Sequence, residues 1–282
     1  MSAPTLQSFI AGQWLGEKAA QSLRSAVNGE VIYHTHEEQI DFAQSLDFAR
    51  SKGQQSLLDM DFQTRASCLR ALGKYLMEHK ESLYKISALT GATRADSWVD
   101  IEGGAGTLFA YASLGRRELP SGNLIHEGDA MPLGREGQFC GSHILVPRRG
   151  VAVHINAFNF PVWGMLEKFA PNFLAGMPCI VKPASSTSYL TEAAVRLMHE
   201  SGLLPEGSLQ LVIGRTGDLL DRLQGQDMVT FTGSASTAAM LRTNDNLIKN
   251  SVPFNAEADS LNCAILAPDV TPDDVEFDLF VK

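Results

Sequence analysis

The chain is poor in cysteine: there are four in 282 residues, at Cys68, Cys140, Cys179 and Cys263, with no CxxC spacing. A disulfide framework is excluded, and the apolar context of each points to a reduced core residue of a cytoplasmic protein. Positive charge is also scarce. Lys and Arg number 23 against 32 Asp and Glu, a net charge of −9. That disfavours nucleic acid as a partner, because counterion release needs clustered cations. The doublets Arg116-Arg117 and Arg148-Arg149 read as solvated loop charge. No apolar run approaches the roughly 18–20 residues of a membrane span, and the N-terminus lacks the charge and apolar stretch of a signal peptide. His34 and His36 lie two apart, but without HExxH or a Cys/His cluster they read as a strand-edge pair rather than a metal site.

A hydrophobic fraction of 44% is ample for one large domain or two modest ones. Residues 8–36 alternate short apolar pieces with Ala-Gly and Asn-Gly turns, the pattern of small hairpins. From Glu37 to about Thr90 the spacing is helical, with Phe42, Leu46 and Ala49 on one face and Cys68, Leu69, Leu72, Tyr75 and Leu76 on another. A further helix spans about 94–114. Its Gly-Gly-Ala-Gly run invites close packing, and Asp96 and Asp100, four apart, read as solvated charges. Residues 119–137 are turn-rich, a linker or an exposed hairpin.

After residue 150 strands and helices alternate. Val151 to Ile155, Cys179 to Val181, Leu209 to Ile213 and Met228 to Phe231 read as strands. Helices fall at Pro161 to Ala175, with proline at the first position, then at Thr191 to Ser201, Asp218 to Leu223, and from Ser236. Such alternation means right-handed βαβ units, a parallel sheet and an α/β, doubly wound, Rossmann-type architecture.

Ligands bind such sheets at the carboxyl ends of the strands, which singles out four places. Asn159, in Asn156-Ala-Phe-Asn-Phe-Pro161, is either a helix N-cap or an amide aimed at a ligand. Lys182, in Lys182-Pro-Ala-Ser185, is a surface lysine or a contact for phosphate or ribose. Phe231-Thr-Gly-Ser234 leads into a helix whose unpaired N–H groups would attract a pyrophosphate. Glu257 is a paired structural charge or a general base.

In their order these pieces, together with Phe9-Ile-Ala-Gly-Gln-Trp14 and Asn28-Gly-Glu-Val-Ile32, resemble the aldehyde dehydrogenase superfamily over the whole chain. Thr90 to Glu102, His154 to Pro161 and Glu257-Ala-Asp-Ser-Leu-Asn262 look most similar to the phenylacetate-degradation branch, in which a semialdehyde dehydrogenase half accompanies an oxepin-CoA hydrolase. The resemblance implies an oxyanion-binding role for Asn159 and a water-activating role for Glu257. It implies dinucleotide contacts at Ile155, Phe158, Lys182, Ser185, Gly233 and Ser234. It also implies a CoA-linked semialdehyde substrate and a homo-oligomer; the resembled protein carries a C-terminal hydratase domain, and whether one follows here is left open by the sequence. Where NAD-preferring relatives carry an acidic residue this chain has Ser185, with Ser186 next, so NADP is the expected cofactor, with NAD as the alternative.

Two departures stand out. Glu257 is followed by Ala258-Asp259-Ser260 where the superfamily usually has Leu-Gly-Gly, and the superfamily's catalytic cysteine lies further on than the 25 residues after Glu257. Cys263 sits in Asn262-Cys-Ala-Ile-Leu266, which reads as a buried strand, where a thiol is inert. The expected organisation is hairpins and helices over 1–123, an oligomerisation arm over 124–150, a Rossmann-type part over 151–255, and a truncated catalytic domain from 256. The rivals are an aldehyde dehydrogenase of another substrate class and a non-catalytic dinucleotide-binding or assembly module.

Overall fold

In a computed structural model, residues 3–259, 263 and 265–281 are described. The N-terminal strands are β1 (Ser8–Ile10), β2 (Gln13–Leu15), β3 (Ala19–Arg24) and β4 (Val31–His36). Helices α1 (Phe42–Phe48) and α2 (Gln54–Leu58) follow, joined by a π-helical turn, then α3 (Phe62–Glu78) and α4 (Lys80–Ser87). A second π-helical turn joins α5 (Arg94–Trp98) to α6 (Gly104–Glu118). Strands β5 (Ile125–Leu133) and β6 (Phe139–Leu145) form a separate, exposed hairpin.

The last part alternates as its sequence pattern requires. It comprises β7 (Ala152–Ile155), α7 (Trp163–Leu174), β8 (Cys179–Lys182), α8 (Ser188–Glu200), β9 (Leu209–Leu211) and β10 (Met228–Thr232). Then come α9 (Ala235–Arg242), α10 (Asp245–Lys249), β11 (Phe254–Glu257) and α11 (Val275–Val281). The sheet order β11-β10-β7-β8-β9-β1-β2 has five parallel strands, flanked at one edge by antiparallel β1 and β2.

Alternate residues of the inner strands feed two cores, one on each face. Ala152, Cys179 and Val181 pack with α3, α6, α7 and α8, whereas Val153, Ile180 and Val229 face α1, α9 and α10. The helices on both faces make the sheet doubly wound. The chain reverses its direction of travel across the sheet between β7 and β10, and a crevice opens at such a switch point. The Gly-Gly-Ala-Gly run does permit close approach: a Cβ on Gly104 would lie 3.0 Å from the Trp163 Cα at the start of α7.

The first hairpin forms as expected, and Phe9 pairs with Leu211 so that it extends the main sheet. The expected boundary between 255 and 256 falls inside β11, which the parallel ladder to β10 holds as one strand. Arg116 and Arg117 occupy the last turn of α6, where cations complement the helix dipole, not a loop. Cys140 and Cys263 are exposed, not core residues. Cys263 lies outside any strand, because the chain leaves the sheet edge after Glu257; residues 262 and 264 of the strand expected over 262–266 lie outside the described residues. Among the described residues, no helix is long and apolar enough to cross a membrane.

Candidate functional site

Strand register brings the sequence-predicted residues to one end of the sheet. Lys182 pairs with Ile155, Ile155 with Phe231, and Thr232 with Glu257, so four parallel strands end side by side. A Cβ on Gly233 would lie 2.5 Å from the Phe231 ring, so a side chain here would force that ring to shift. The Gly233 N–H donates to the Glu257 carbonyl at 3.1 Å, tying the two strand ends together.

Asn159 and Glu257 line one cavity of about 360 Å³, together with Val99, Ala157, Phe160, Trp163, Gly164, Glu167 and Thr232. Asn159 is exposed to that space. It is not the N-cap of α7. That position belongs to Val162, and the helix end is satisfied from outside, by Asp100, whose Oδ1 accepts from the Val162 and Trp163 N–H groups at 3.0 and 2.7 Å. Pro161 accordingly precedes the helix rather than opening it. The same finding overturns the reading of Asp100 as solvated. It is only 4% exposed, and burial pushes its carboxyl up to about 6 against the two N–H bonds that favour the charged form. Asp96 is the exposed partner, closing a capping box with Thr93.

Glu257 accepts a hydrogen bond from Thr232 Oγ1 at 3.1 Å and lies 3.5 Å from Lys168 Nζ. Sequence reasoning missed Lys168. Its side chain is 8% exposed, and Nζ also donates to Glu167 Oε1 at 2.6 Å and to the Gly164 carbonyl at 3.3 Å. The signal was a lysine nine residues after Asn159 on an apolar helix face, where an unpaired ammonium would be costly. Behind it, His154 is fully buried, bonded to Asn172 at 3.1 Å and depressed by burial to about 3, so it stays neutral. Asn156, 5% exposed, has no hydrogen-bond partner for either end of its amide among the described residues.

The remaining predicted residues lie away from that cavity. Ser185 lines a cleft of about 1090 Å³ outside β8 and β9, with His36, Gly214, Arg215, Asp218 and Arg222. Arg215, another residue that sequence reasoning passed over, is exposed in the glycine turn after β9. Lys182 is half-buried, with its ammonium lowered by desolvation and no carboxylate within salt-bridge distance among the described residues. Phe158 is 64% exposed at the strand end. Ser234 caps α9 by accepting from Thr237 N–H, and Asp259 accepts from Ala235 N–H at 3.3 Å. The α9 N-terminus is thus partly occupied by a carboxylate, where unpaired N–H groups were expected. His34 and His36 bond Ser22 and Ser8; His36 also meets Glu38 at 3.1 Å.

The arrangement provides an amide donor and a carboxylate facing the same small cavity, and apart from it a larger cleft beside Ser185. The sequence profile of the aldehyde dehydrogenase family matches residues 14–276. The chain is 42% identical over 281 residues to a 3,4-dehydroadipyl-CoA semialdehyde dehydrogenase of Aromatoleum evansii, an alignment that covers 98% of this chain and 54% of that protein. It is 26% identical to a glutarate-semialdehyde dehydrogenase of Pseudomonas putida over 83% of this chain and 48% of that one. Among solved structures, betaine aldehyde dehydrogenase of Staphylococcus aureus in complex with NAD+ superposes with a TM-score of 0.77 at 23% identity, over 90% of this chain and 49% of that one. The chain spans about half the length of the relatives it matches.

Proposed function

The chain belongs to the aldehyde dehydrogenase family, and on that premise we propose that it forms the cofactor-binding part of an NAD(P)-dependent enzyme oxidising a CoA-linked semialdehyde to the acid. The observation that carries this reading is the convergence of Asn159 and Glu257 on one cavity at the switch point of the sheet. The 42% identity to a CoA-semialdehyde dehydrogenase supports the substrate class. The sequence likeness to the phenylacetate branch supports the same class, and with it a hydratase domain in the complete protein. The exposed hairpin β5–β6, with Met131, Leu133, Phe139 and Ile144 open to solvent, is proposed as the oligomerisation arm.

In this mechanism the Asn159 side-chain N–H donates to the oxygen of the aldehyde as it gains charge under attack by a thiolate. That thiolate is assigned to a cysteine outside residues 1–282. Burial pushes the Cys179 thiol up strongly and that of Cys68 to about 11, which unfits both as nucleophiles, and the exposed Cys140 and Cys263 do not line the cavity that Asn159 and Glu257 share. Glu257 takes a proton from the water that cleaves the resulting thioester, and Lys168 and Thr232 hold its carboxylate.

The cleft beside Ser185 is large enough for a dinucleotide. A bound nicotinamide would supply the hydride acceptor. Ser185 leaves room for a 2′-phosphate, and Arg215 and Lys182 would be its cations. Gly233 and Ser234 would meet the pyrophosphate once Asp259 releases the start of α9. The test is turnover by the enzyme from the complete reading frame: reduction of NADP with a CoA-linked semialdehyde supports the reading, and activity confined to unlinked aldehydes refutes the substrate class.

A further inference from the structure

The cavity behind Asn159 holds more negative charge than the proposed chemistry uses. Glu167 and Glu257 both line it, and both lean on one ammonium, Lys168, at 2.6 and 3.5 Å. Two carboxylates and one cation leave an excess of one negative charge. The other lining groups are neutral: Val99, Phe160 and Trp163 are apolar, and Asn159 and Thr232 are polar without charge. The positive end of the α7 dipole offers no relief, since Asp100 already meets it. Among the described residues no arginine and no lysine lines the cavity, Lys168 standing behind the two carboxylates.

Glu167 has no task in the donor-and-base scheme, yet its side chain is 34% exposed and stands in the space a substrate would enter. A semialdehyde whose other end is a free carboxylate would bring a third anion into this space, where the described lining residues offer no unpaired cation to receive it. Like charges brought together out of water are strongly discriminated against. An ester or thioester at the same place carries no charge and meets the apolar walls instead. In a CoA-linked substrate the phosphates lie at the far end of a long uncharged pantetheine arm.

We propose that Glu167 is a specificity-determining residue that turns away semialdehydes ending in a free carboxylate and admits those whose far end is masked as a neutral thioester. The inference rests on the reading of this cavity as the aldehyde site, and it gives the CoA linkage a physical reason.

The test uses the full-length enzyme and a matched pair, a short ω-oxo carboxylic acid and its methyl ester, which differ in charge at one end. The readout is the ratio of the two kcat/KM values. Wild type is expected to favour the ester; Glu167→Gln should shrink that preference about tenfold or more, and Glu167→Asp should keep it. Loosening Lys168 would slow both substrates together and leave the ratio unmoved, so the ratio reads charge exclusion rather than general damage. An unchanged ratio in Glu167→Gln, an equal loss of preference in Glu167→Asp, or no turnover of either compound by wild type overturns the proposal. Turnover of the ester with none of a CoA-linked semialdehyde refutes the proposed substrate class alone.

Discussion

Lys168 places its ammonium 3.5 Å from the Glu257 carboxylate, joining a helix that follows β7 to the last strand of the parallel sheet. The ion pair, with the hydrogen bond from Thr232 Oγ1, holds a half-exposed glutamate against the cavity. Lys168→Met should slow thioester hydrolysis about tenfold, within the range of general-base effects. In the full-length enzyme this would appear as a burst of NADPH followed by a slow steady state; a uniform loss of burst and steady state would show that Lys168 acts elsewhere.

Asn159 donates to no protein group among the described residues, so its loss should cost rate and not stability. Asn159→Ala in the full-length enzyme is expected to lower kcat by about 10²–10³, the usual worth of one oxyanion donor, with the melting temperature unchanged. A fall in melting temperature with rate preserved would return Asn159 to a structural role.

Asp100 gives a pH signature. Its folded pKa, about 6, lies above the ordinary 3.8, so its contribution to stability is full below about pH 4 and is lost as pH rises toward 6. Asp100→Asn removes the buried charge and keeps an acceptor for the α7 N–H groups. The variant should gain on wild type from pH 4 to 6 and then hold a margin on the order of 2 kcal/mol. A difference independent of pH would mean that the carboxylate is not desolvated as described.

For the cofactor, Ser185→Glu should favour NAD over NADP by placing a carboxylate where the 2′-phosphate would lie. Asp259→Ala should tighten both, since it frees the Ala235 N–H at the start of α9. Calorimetric titration with each dinucleotide checks both expectations, and tighter NAD binding by wild type would contradict the assignment of Ser185.

Features legible in the sequence were local. The turns Asn159-Phe-Pro161, Lys182-Pro183 and Thr232-Gly-Ser234 each sit where an apolar strand stops, and strand–helix alternation places strand ends together. The missed features depend on distant partners. The spacing of Asp96 and Asp100 puts them on one helical face, but only the docking of α7 buries Asp100 and leaves Asp96 in water. The role of Lys168 shows only once β11 brings Glu257 to 3.5 Å from its ammonium. The apolar run around Cys263 has strand-like composition, yet Cys263 itself has no neighbouring strand to pair with among the described residues.

In the proposed mechanism Asn159 and Glu257 serve a thiolate that residues 1–282 do not contain. The most direct test of that assignment is cofactor-dependent oxidation of a CoA-linked semialdehyde, measured side by side for residues 1–282 and for the full-length enzyme. Removal of a nucleophile costs several powers of ten, so residues 1–282 should give no NAD(P)H above background, while the full-length enzyme turns over and loses most of its rate on Asn159→Ala. Robust NAD(P)H formation by residues 1–282, abolished by Cys263→Ala, would contradict it.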